Sequence, residues 1–269
     1  MKKFILSSLI ICFINASYVS RVTADVATDT LKTECEKFEC IHGAITRGKT
    51  SSKEIALVFT GDEYADGAVQ IITQLKKQNV FAGFFFTGNF YRNPNFQSII
   101  QSLVKSNHYV GAHSDQHVLY CDWAKRDSLL ITQQEFVKDI AANYREMERF
   151  GINKQEAHYF LPPYEWYNDT ISSWTKTQGL QLINFTHGTL SHADYTTPDM
   201  PNYRSSEIIY NSILGYEQIN KNGLNGFILL SHIGTAPKRT DKFYFQLEKL
   251  ITELKSRGYT FTRIDELLN

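Results

Sequence analysis

Two histidines four residues apart, together with an aspartate earlier in the chain, have the side chains that bind a metal ion. His113 and His117 enclose the segment Ser-Asp-Gln, and this spacing places both imidazoles on one side of a helical turn. With the carboxylate of Asp62 they would bind Zn²⁺ or another borderline divalent ion and leave positions free for water and substrate. Such an ion activates water and polarises a carbonyl group. Taken alone, the histidine pair is equally typical of ordinary surface residues.

Three further residues have side chains suited to moving protons. His232 has a side chain that carries protons near neutral pH. Glu63 directly follows Asp62, and Glu165 follows a Pro-Pro-Tyr segment. A single glutamate is as often a surface or helix-capping residue as a functional one.

These polar residues all follow short apolar runs that are typical of buried strands. The runs cover 55–59, 80–86, 109–112, 159–161, 180–185, 227–230 and 259–264. Segments with helical periodicity lie between most of them. Buried strands that alternate with helices predict a parallel sheet, and their number favours an α/β fold of the incomplete (β/α)7 barrel type, a distorted TIM-like barrel. The polar residues would then meet at the C-terminal face of that barrel.

Charge and length narrow the function classes. A chain of 269 residues suits one large domain, and its 28 basic residues balance its 28 acidic ones. Nothing in this balance favours a nucleic acid or an anionic membrane surface as partner.

The N-terminus predicts export. Two lysines and an apolar run at 4–14 precede the small-residue site Val22-Thr23-Ala24, which indicates a signal peptide at 1–24 and a secreted or periplasmic product. The run is short for a membrane span, and Ile11 before Cys12 disfavours a lipoprotein anchor, so no stable membrane insertion is expected after cleavage. We assign 25–53 to a polar leader and 54–269 to the catalytic domain.

Three cysteines remain after such a cleavage. Cys35 and Cys40 could pair in an oxidising compartment, which would leave Cys121 over. Their spacing matches no strong zinc motif, and none is expected to be catalytic.

Four motifs in order resemble those of the polysaccharide deacetylase, or NodB-homology, family. They are Phe-Thr-Gly-Asp-Glu at 59–63, His-Ser-x-x-His at 113–117, Leu-Pro-Pro-Tyr at 161–164 and Leu-x-x-His at 229–232. The resemblance spans about 54–268 and implies metal-dependent removal of acetyl groups, N-acetyl above all, from an acetylated glycan. It implies that Asp62, His113 and His117 bind the metal, that His232 protonates the leaving amine, and that the N–H of Tyr164 stabilises the oxyanion.

The chain departs from this family at three linked places. Gly61 stands where the family has its general-base aspartate, and Leu161 stands where an arginine orients that base. Residues 184–189 replace an expected Asp-Trp segment. A buried arginine without its carboxylate would be an unpaired charge, so the loss of both together is physically consistent.

Two interpretations follow from these departures. In the first, another carboxylate acts as base; Glu165 is slightly favoured over Glu63, and Asp66 is a third candidate. In the second, the protein is a metal-containing carbohydrate-binding protein with weak or no catalysis. The intact His232 favours the enzyme, because a binding protein does not need a general acid. Hydrolysis of O-acetyl esters or other small amides is the alternative enzyme reaction.

Other residues around the expected pocket have weaker assignments. Tyr164 and Trp166 are expected to contact the substrate, and Tyr91 and Tyr167 could extend a platform for a sugar ring. Asp194 or Asp199, in the long segment before 204, could orient His232 in place of the missing aspartate.

Overall fold

The computed structural model describes residues 34–269, in which nine strands form one curled sheet. In chain order the strands are β1 Glu39–Ile41, β2 Ala44–Arg47, β3 Glu54–Gly61, β4 Gly83–Phe86, β5 Tyr109–Ala112, β6 Tyr159–Phe160, β7 Gln181–Leu182, β8 Phe227–His232 and β9 Thr260–Phe261. Their order across the sheet is β1-β2-β8-β3-β4-β5-β6-β7, and β9 pairs with the start of β3. All the pairings among strands β3 to β9 are parallel, which confirms the predicted fold class.

Helices cover the sheet and supply the connections that parallel strands need. They are α1 Ala68–Gln78, α2 Gly88–Arg92, α3 Gln97–Lys105, α4 Gln133–Glu148, α5 Asp169–Thr177, α6 Ser206–Ile219, α7 Leu247–Ser256 and α8 Ile264–Leu267. The longest, α4, begins with a capping box in which Thr132 and Glu135 bond each other's backbone. Within 34–269, no helix combines the length and the apolar character that crossing a membrane requires.

Strand β3 lies at the centre of the sheet and fixes where the chemistry gathers. Its residues after Glu54 are buried, as expected for a strand covered on both faces. Thr60 is in register with His232 of β8, and Gly61 with Phe86 of β4. The C-terminal ends of β3, β4, β5 and β8 therefore meet at one edge.

The N-terminal hairpin differs from the polar leader predicted for 25–53. Strands β1 and β2 pair with each other, and β2 joins β8 in antiparallel orientation. Ile45 also bridges to Ile183 just after β7, which brings the two ends of the curled sheet together. Cys35 and Cys40 form a disulfide, and Cys121 is free and buried. The predicted signal peptide and Cys12 lie outside the described residues.

Strand boundaries differ from the prediction where a turn was taken for strand. The run at 80–86 begins as strand only at Gly83, because Asn79 ends α1 in a left-handed conformation and the N–H of Val80 bonds back to Leu75. Val80 and Ala82 in that turn are buried, but they follow the end of the helix and do not belong to the strand.

Candidate active site

A cavity of about 430 Å³ opens at the C-terminal ends of the central strands. It contains every catalytic and metal-binding residue predicted from the sequence, and aromatic residues form much of its rim. The lining residues are Thr60, Gly61, Asp62, Glu63, Tyr64, His113, His117, Trp123, Tyr164, Glu165, Tyr195, Thr197, Met200, His232, Gly234, Thr235 and Ala236. Trp166 does not line it directly.

His113 is held in one orientation at the end of β5. Its Nδ1 lies 2.8 Å from the carbonyl oxygen of Leu161, so Nδ1 donates and Nε2 keeps a free lone pair. Its backbone N–H bonds the side-chain oxygen of Asn143 at 3.0 Å. Burial lowers the pKa of His113 well below its ordinary value, which keeps the ring neutral as metal binding requires.

The segment that carries both histidines is a loop, and the predicted helical turn is wrong. Ser114 and His117 both have positive φ, 73° and 54°, which costs a non-glycine residue about 1–3 kcal/mol. The rings of His113 and His117 nevertheless lie 5.2 Å apart, centroid to centroid. The loop replaces helical spacing as the device that brings the imidazoles together.

Helix α4 supports this loop through Asp139 and Asn143, one turn apart. One carboxylate oxygen of Asp139 accepts the N–H groups of Asp115 and Gln116 at 3.1 and 3.2 Å, and the other accepts the hydroxyl of Tyr120 at 2.8 Å. Sequence reasoning missed both residues. Their signal was available: polar side chains beside the buried apolar stripe of a helix usually have a buried partner.

Asp62 follows β3 and faces the same cavity. One of its oxygens accepts bonds from the hydroxyl of Thr87 at 2.7 Å and the amide of Asn89 at 3.3 Å. Thr87 also caps α2, so the start of that helix orients the carboxylate. The second oxygen is left for a ligand.

Asp62, His113 and His117 are the donor set available to a divalent ion. Asp62 offers a carboxylate oxygen and His113 a free Nε2, while burial lowers the pKa of His117 against the opposing effect of Asp62. In the part of the chain that the structure describes, no three such side chains lie close enough to hold an ion as they stand. The chemistry of the donors fits Zn²⁺ or a similar ion.

His232, at the end of β8, is oriented by Asp194. The two carboxylate oxygens of Asp194 accept from Nδ1 at 2.6 Å and from the backbone N–H of His232 at 2.9 Å. Burial alone would lower the pKa of His232, but Asp194 outweighs it and the pKa is raised. Asp194 thus makes the predicted contact, whereas Asp199 bonds Thr197 and Lys238.

Glu165 lies in a tight turn beside His232. Tyr164 and Glu165 have φ of 59° and 53°, and the amide of Asn184 donates to the carbonyl oxygen of Glu165 at 2.8 Å. Burial raises the pKa of the Glu165 carboxyl to about 7, against the opposing effect of His232. Glu63 also lines the cavity, but it is exposed. The half-buried Glu165 is therefore the glutamate whose proton affinity suits neutral pH.

Apolar packing fills the positions of the missing base and arginine. A Cβ at Gly61 would lie 2.8 Å from Ile233 and 3.0 Å from both Phe86 and Phe90. Leu161 is fully buried, and only its carbonyl oxygen reaches the site, through His113. The base position is thus closed to a larger side chain.

Exposed apolar side chains form the rim of the cavity. Tyr64, Trp123, Tyr164, Tyr195 and Met200 all line it and are between 37% and 55% exposed. Only Tyr164 was predicted; Tyr64, Trp123, Tyr195 and Met200 were not, because no sequence pattern marked these residues.

Trp166 lies behind this rim, with its ring 5.2 Å from that of Trp123. The platform suggested for Tyr91 and Tyr167 is wrong, because both side chains are fully buried. They are core residues whose hydroxyls bond backbone carbonyl oxygens.

Comparison with known proteins gives one family. The model of the polysaccharide deacetylase family matches residues 47–183, just over half of the chain. The chain is 24% identical to the peptidoglycan-N-acetylmuramic acid deacetylase PdaA of Bacillus subtilis over 227 residues, which cover 84% of this chain and 76% of PdaA.

Two solved structures share the fold. The Bc1960 peptidoglycan N-acetylglucosamine deacetylase matches with a TM-score of 0.66 and 22% identity, covering 82% of this chain and 91% of Bc1960. BA3943 of Bacillus anthracis, described as a CE4 family pseudoenzyme, matches with a TM-score of 0.64 and 21% identity, covering 86% and 70% of the two chains.

Proposed function

The chain belongs to the polysaccharide deacetylase family, and on that premise we propose that it is a metal-dependent hydrolase that removes N-acetyl groups from a glycan. Asp62, His113 and His117 would hold the divalent ion, of the Zn²⁺ type. The observation that carries the proposal is the bond between His232 and Asp194, which aims an oriented acid at the cavity of this donor set. A protein that only binds sugar does not need this arrangement.

The bound ion supplies an activated water and polarises the acetyl carbonyl. Glu165 takes the proton that the attacking water gives up, since a pKa near 7 lets a carboxylate accept a proton at neutral pH. The N–H of Tyr164 would stabilise the oxyanion. Glu63 is the second candidate base.

His232 then gives a proton to the leaving nitrogen. Asp194 accepts from Nδ1, so the second ring nitrogen is the one available to the substrate. The negative charge of Asp194 stabilises the protonated ring, which keeps the acid charged until collapse of the intermediate. Each proton step thus has its own residue despite the loss of the family's base.

The exposed aromatic side chains at the rim support a glycan as substrate. The disulfide supports export of the protein. Tyr164 and Trp123 offer exposed aromatic faces of the kind on which sugar rings stack. Trp166 supports Trp123 from behind. The Cys35–Cys40 disulfide fits the oxidising compartment that the predicted signal peptide implies.

Acetate release tests this proposal. The mature chain from residue 25 is loaded with Zn²⁺ and supplied with N-acetylated and O-acetylated oligosaccharides, with Asp62→Ala as control. We expect release from the N-acetylated set that disappears in the control. Release only from O-acetylated sugars would instead support the esterase alternative.

A second function is favoured by the closed base position at Gly61. A protein that binds metal and glycan without turnover would also tolerate apolar packing there, and a pseudoenzyme of this fold is known in BA3943. It predicts measurable glycan binding and no acetate from any substrate, for the native protein and for Glu165→Gln and Glu63→Gln alike.

A further inference from the structure

The N-terminal hairpin of β1 and β2 is connected to the turn that carries the candidate base. Resting on the proposed function, we infer that this hairpin positions Glu165 in the cavity, and that it acts through the side chains of Tyr167 and Asn184. Neither of these two side chains lines the cavity. Both are therefore positioning residues, which act on the reaction through the turn and not by contact with the substrate.

The turn has a backbone conformation that needs support from outside. Tyr164 and Glu165 both have positive φ, 59° and 53°, which residues other than glycine rarely adopt. Two bonds within the turn, from the N–H groups of Glu165 and Trp166 to carbonyl oxygens three residues earlier, measure 3.1 and 3.2 Å. These bonds close the turn, but they do not fix it against the rest of the molecule. Contacts from other elements must hold it in place.

Tyr167 connects the turn to strand β1. Its hydroxyl donates to the carbonyl oxygen of Ile41 at 2.9 Å, although the two residues are 126 positions apart in the chain. Its own carbonyl oxygen accepts a bond from the guanidinium of Arg126 at 2.7 Å. The side chain is only 1% exposed, so it cannot turn away without disturbing close-packed neighbours. The chain two residues after Glu165 is thus fixed to the hairpin.

Asn184 connects strand β2 to Glu165 itself. Its backbone N–H donates to the carbonyl oxygen of Ile45 at 2.9 Å, and its side-chain amide donates to the carbonyl oxygen of Glu165 at 2.8 Å. The side-chain oxygen accepts the N–H of Phe185 at 2.8 Å, which fixes the orientation of the amide. Because Asn184 is buried, this amide has no water to replace Glu165 as its partner.

The hairpin is anchored to the barrel, so it can serve as a fixed support. Arg47 at the end of β2 is buried and donates to the carbonyl oxygens of Gly223 and Asn225 at 2.9 and 2.8 Å. In the turn between β1 and β2, the carbonyl oxygen of His42 accepts the hydroxyl of Ser172 on α5. The hairpin is therefore held from two sides before it contacts the turn.

The supporting residues lie at the edges of the family match. The family model matches 47–183, so the hairpin precedes it except for its last residue, and Asn184 directly follows it. Asn184 is also the first residue of the segment 184–189, in which the chain departs from the family's Asp-Trp. The departure at Gly61 removes the family's base, and this second departure supplies an amide that holds Glu165. Both departures are consistent with a single change of base.

Tyr167→Phe tests the first connection, because it removes only the hydroxyl. The Zn²⁺-loaded mature protein is supplied with an N-acetylated oligosaccharide, and amide exchange is followed by NMR. We expect the loss of one bond to a buried carbonyl oxygen to lower kcat about fivefold and to leave KM within about twofold. The amides of Glu165 and Trp166 should exchange about fivefold faster. A raised KM with a native kcat would overturn the inference.

Tyr144→Phe is the matched control. Tyr144 is also buried, its hydroxyl donates to the carbonyl oxygen of Ala157 at 2.6 Å, and neither residue lines the cavity. This variant should lower the melting temperature about as much as Tyr167→Phe, with native kcat and native exchange in the turn. An equal fall of kcat in the two variants would indicate a general loss of stability and would overturn the inference.

Asn184→Asp tests the second connection. The substitution keeps the size of the side chain and the oxygen that accepts from Phe185, but it leaves no N–H for the carbonyl oxygen of Glu165. We expect kcat to fall at least about fivefold and the amide of Trp166 to exchange faster. Native kcat together with native exchange in this variant would overturn the role of Asn184.

Amide exchange keeps this test separate from the test of catalysis. If the native protein releases no acetate, the proposed enzyme fails, and exchange alone decides on the hairpin. Faster exchange of Glu165 and Trp166 in Tyr167→Phe would then still support the positioning, and native exchange would reject it. In an active protein, a lowered kcat with native exchange in the turn would also overturn the inference.

Discussion

Glu165 combines a position beside His232 with a carboxyl whose pKa burial raises to about 7. A general base must be ionised, so activity should fall as the pH drops through about 7, where Glu165 takes up its proton. We predict that Glu165→Gln lowers kcat by about 10²–10⁴-fold. The measurement is kcat as a function of pH for both proteins at saturating metal.

Glu63→Gln is the matched control, because Glu63 lines the same cavity but is exposed. If Glu165 is the base, this variant keeps the acidic limb of the profile near pH 7. A large loss in Glu63→Gln with normal activity in Glu165→Gln would reverse the assignment.

Asp194 should set the basic limb of the same profile. Its carboxylate raises the pKa of His232, so the protonated acid persists to higher pH than an ordinary histidine. Asp194→Asn removes the charge, the pKa of His232 falls, and the basic limb of kcat should move to lower pH. Asp199→Asn is the control, since Asp199 bonds Lys238 instead. An unmoved limb in Asp194→Asn would exclude His232 as the titrating acid.

The site residues at the strand ends could be predicted from the sequence, whereas the choice of the residues that orient them could not. Asp62 and His232 follow apolar runs, and the rules of parallel sheets bring such positions together. The contact of Asp194 with His232 spans 38 residues and depends on the path of a long loop. Gly61 shows the same limit, because the sequence does not reveal that Ile233 packs so closely that a side chain at Gly61 would be crowded.

At the scale of elements, α4 is the support of the histidine loop. Asp139 accepts two loop N–H groups, and Asn143 accepts that of His113. Ser114 and His117 adopt unfavourable φ values that isolated chain would avoid. The helix thus supplies the bonds that hold these conformations.

Replacing this support should weaken metal binding more than folding. We predict that Asp139→Asn, which keeps the size of the side chain, lowers Zn²⁺ affinity about 10–100-fold, as loss of a ligand-orienting partner typically does. Affinity is measured by competition with a chelator, and the melting temperature of the metal-free protein is measured in parallel. Glu148→Gln on the exposed side of α4 is the control. Unchanged affinity with a lower melting temperature would leave Asp139 a purely structural role.

Hydrophobic periodicity predicted the strands from β3 onward, but it did not predict the N-terminal hairpin. The strands from β3 to β9 were all expected, because each is apolar and bounded by turns. The β1–β2 hairpin was missed because its short strands lie in a segment that is polar as a whole. Its place is fixed by pairing with β8, and no local pattern encodes that contact.

At the scale of the whole molecule, buried titratable groups link stability to pH. His108 directly precedes β5, at the end of that strand opposite the cavity, and is only 9% exposed. Its Nδ1 accepts the N–H of Ala82 at 3.2 Å, and its ring packs edge-on against Phe84. A protonated Nδ1 cannot accept that bond, so the folded state requires the neutral ring. Burial accordingly lowers the pKa of His108 to about 4.

This shift predicts a loss of stability in mild acid. The unfolded chain protonates His108 near its ordinary pKa of about 6.5, and the folded chain only near 4, so the contribution is complete above about pH 6.5 and is lost as the pH falls towards 4. We expect a loss of up to about 3 kcal/mol over that window. Urea unfolding at pH 7 and pH 4.5 measures this loss of unfolding free energy.

Glu165 titrates in the opposite sense, because its pKa is raised, so His108→Gln serves as the reference variant. The free energy of unfolding should fall less in this variant than in the native protein, and equal losses would mean that other groups cause the acid sensitivity.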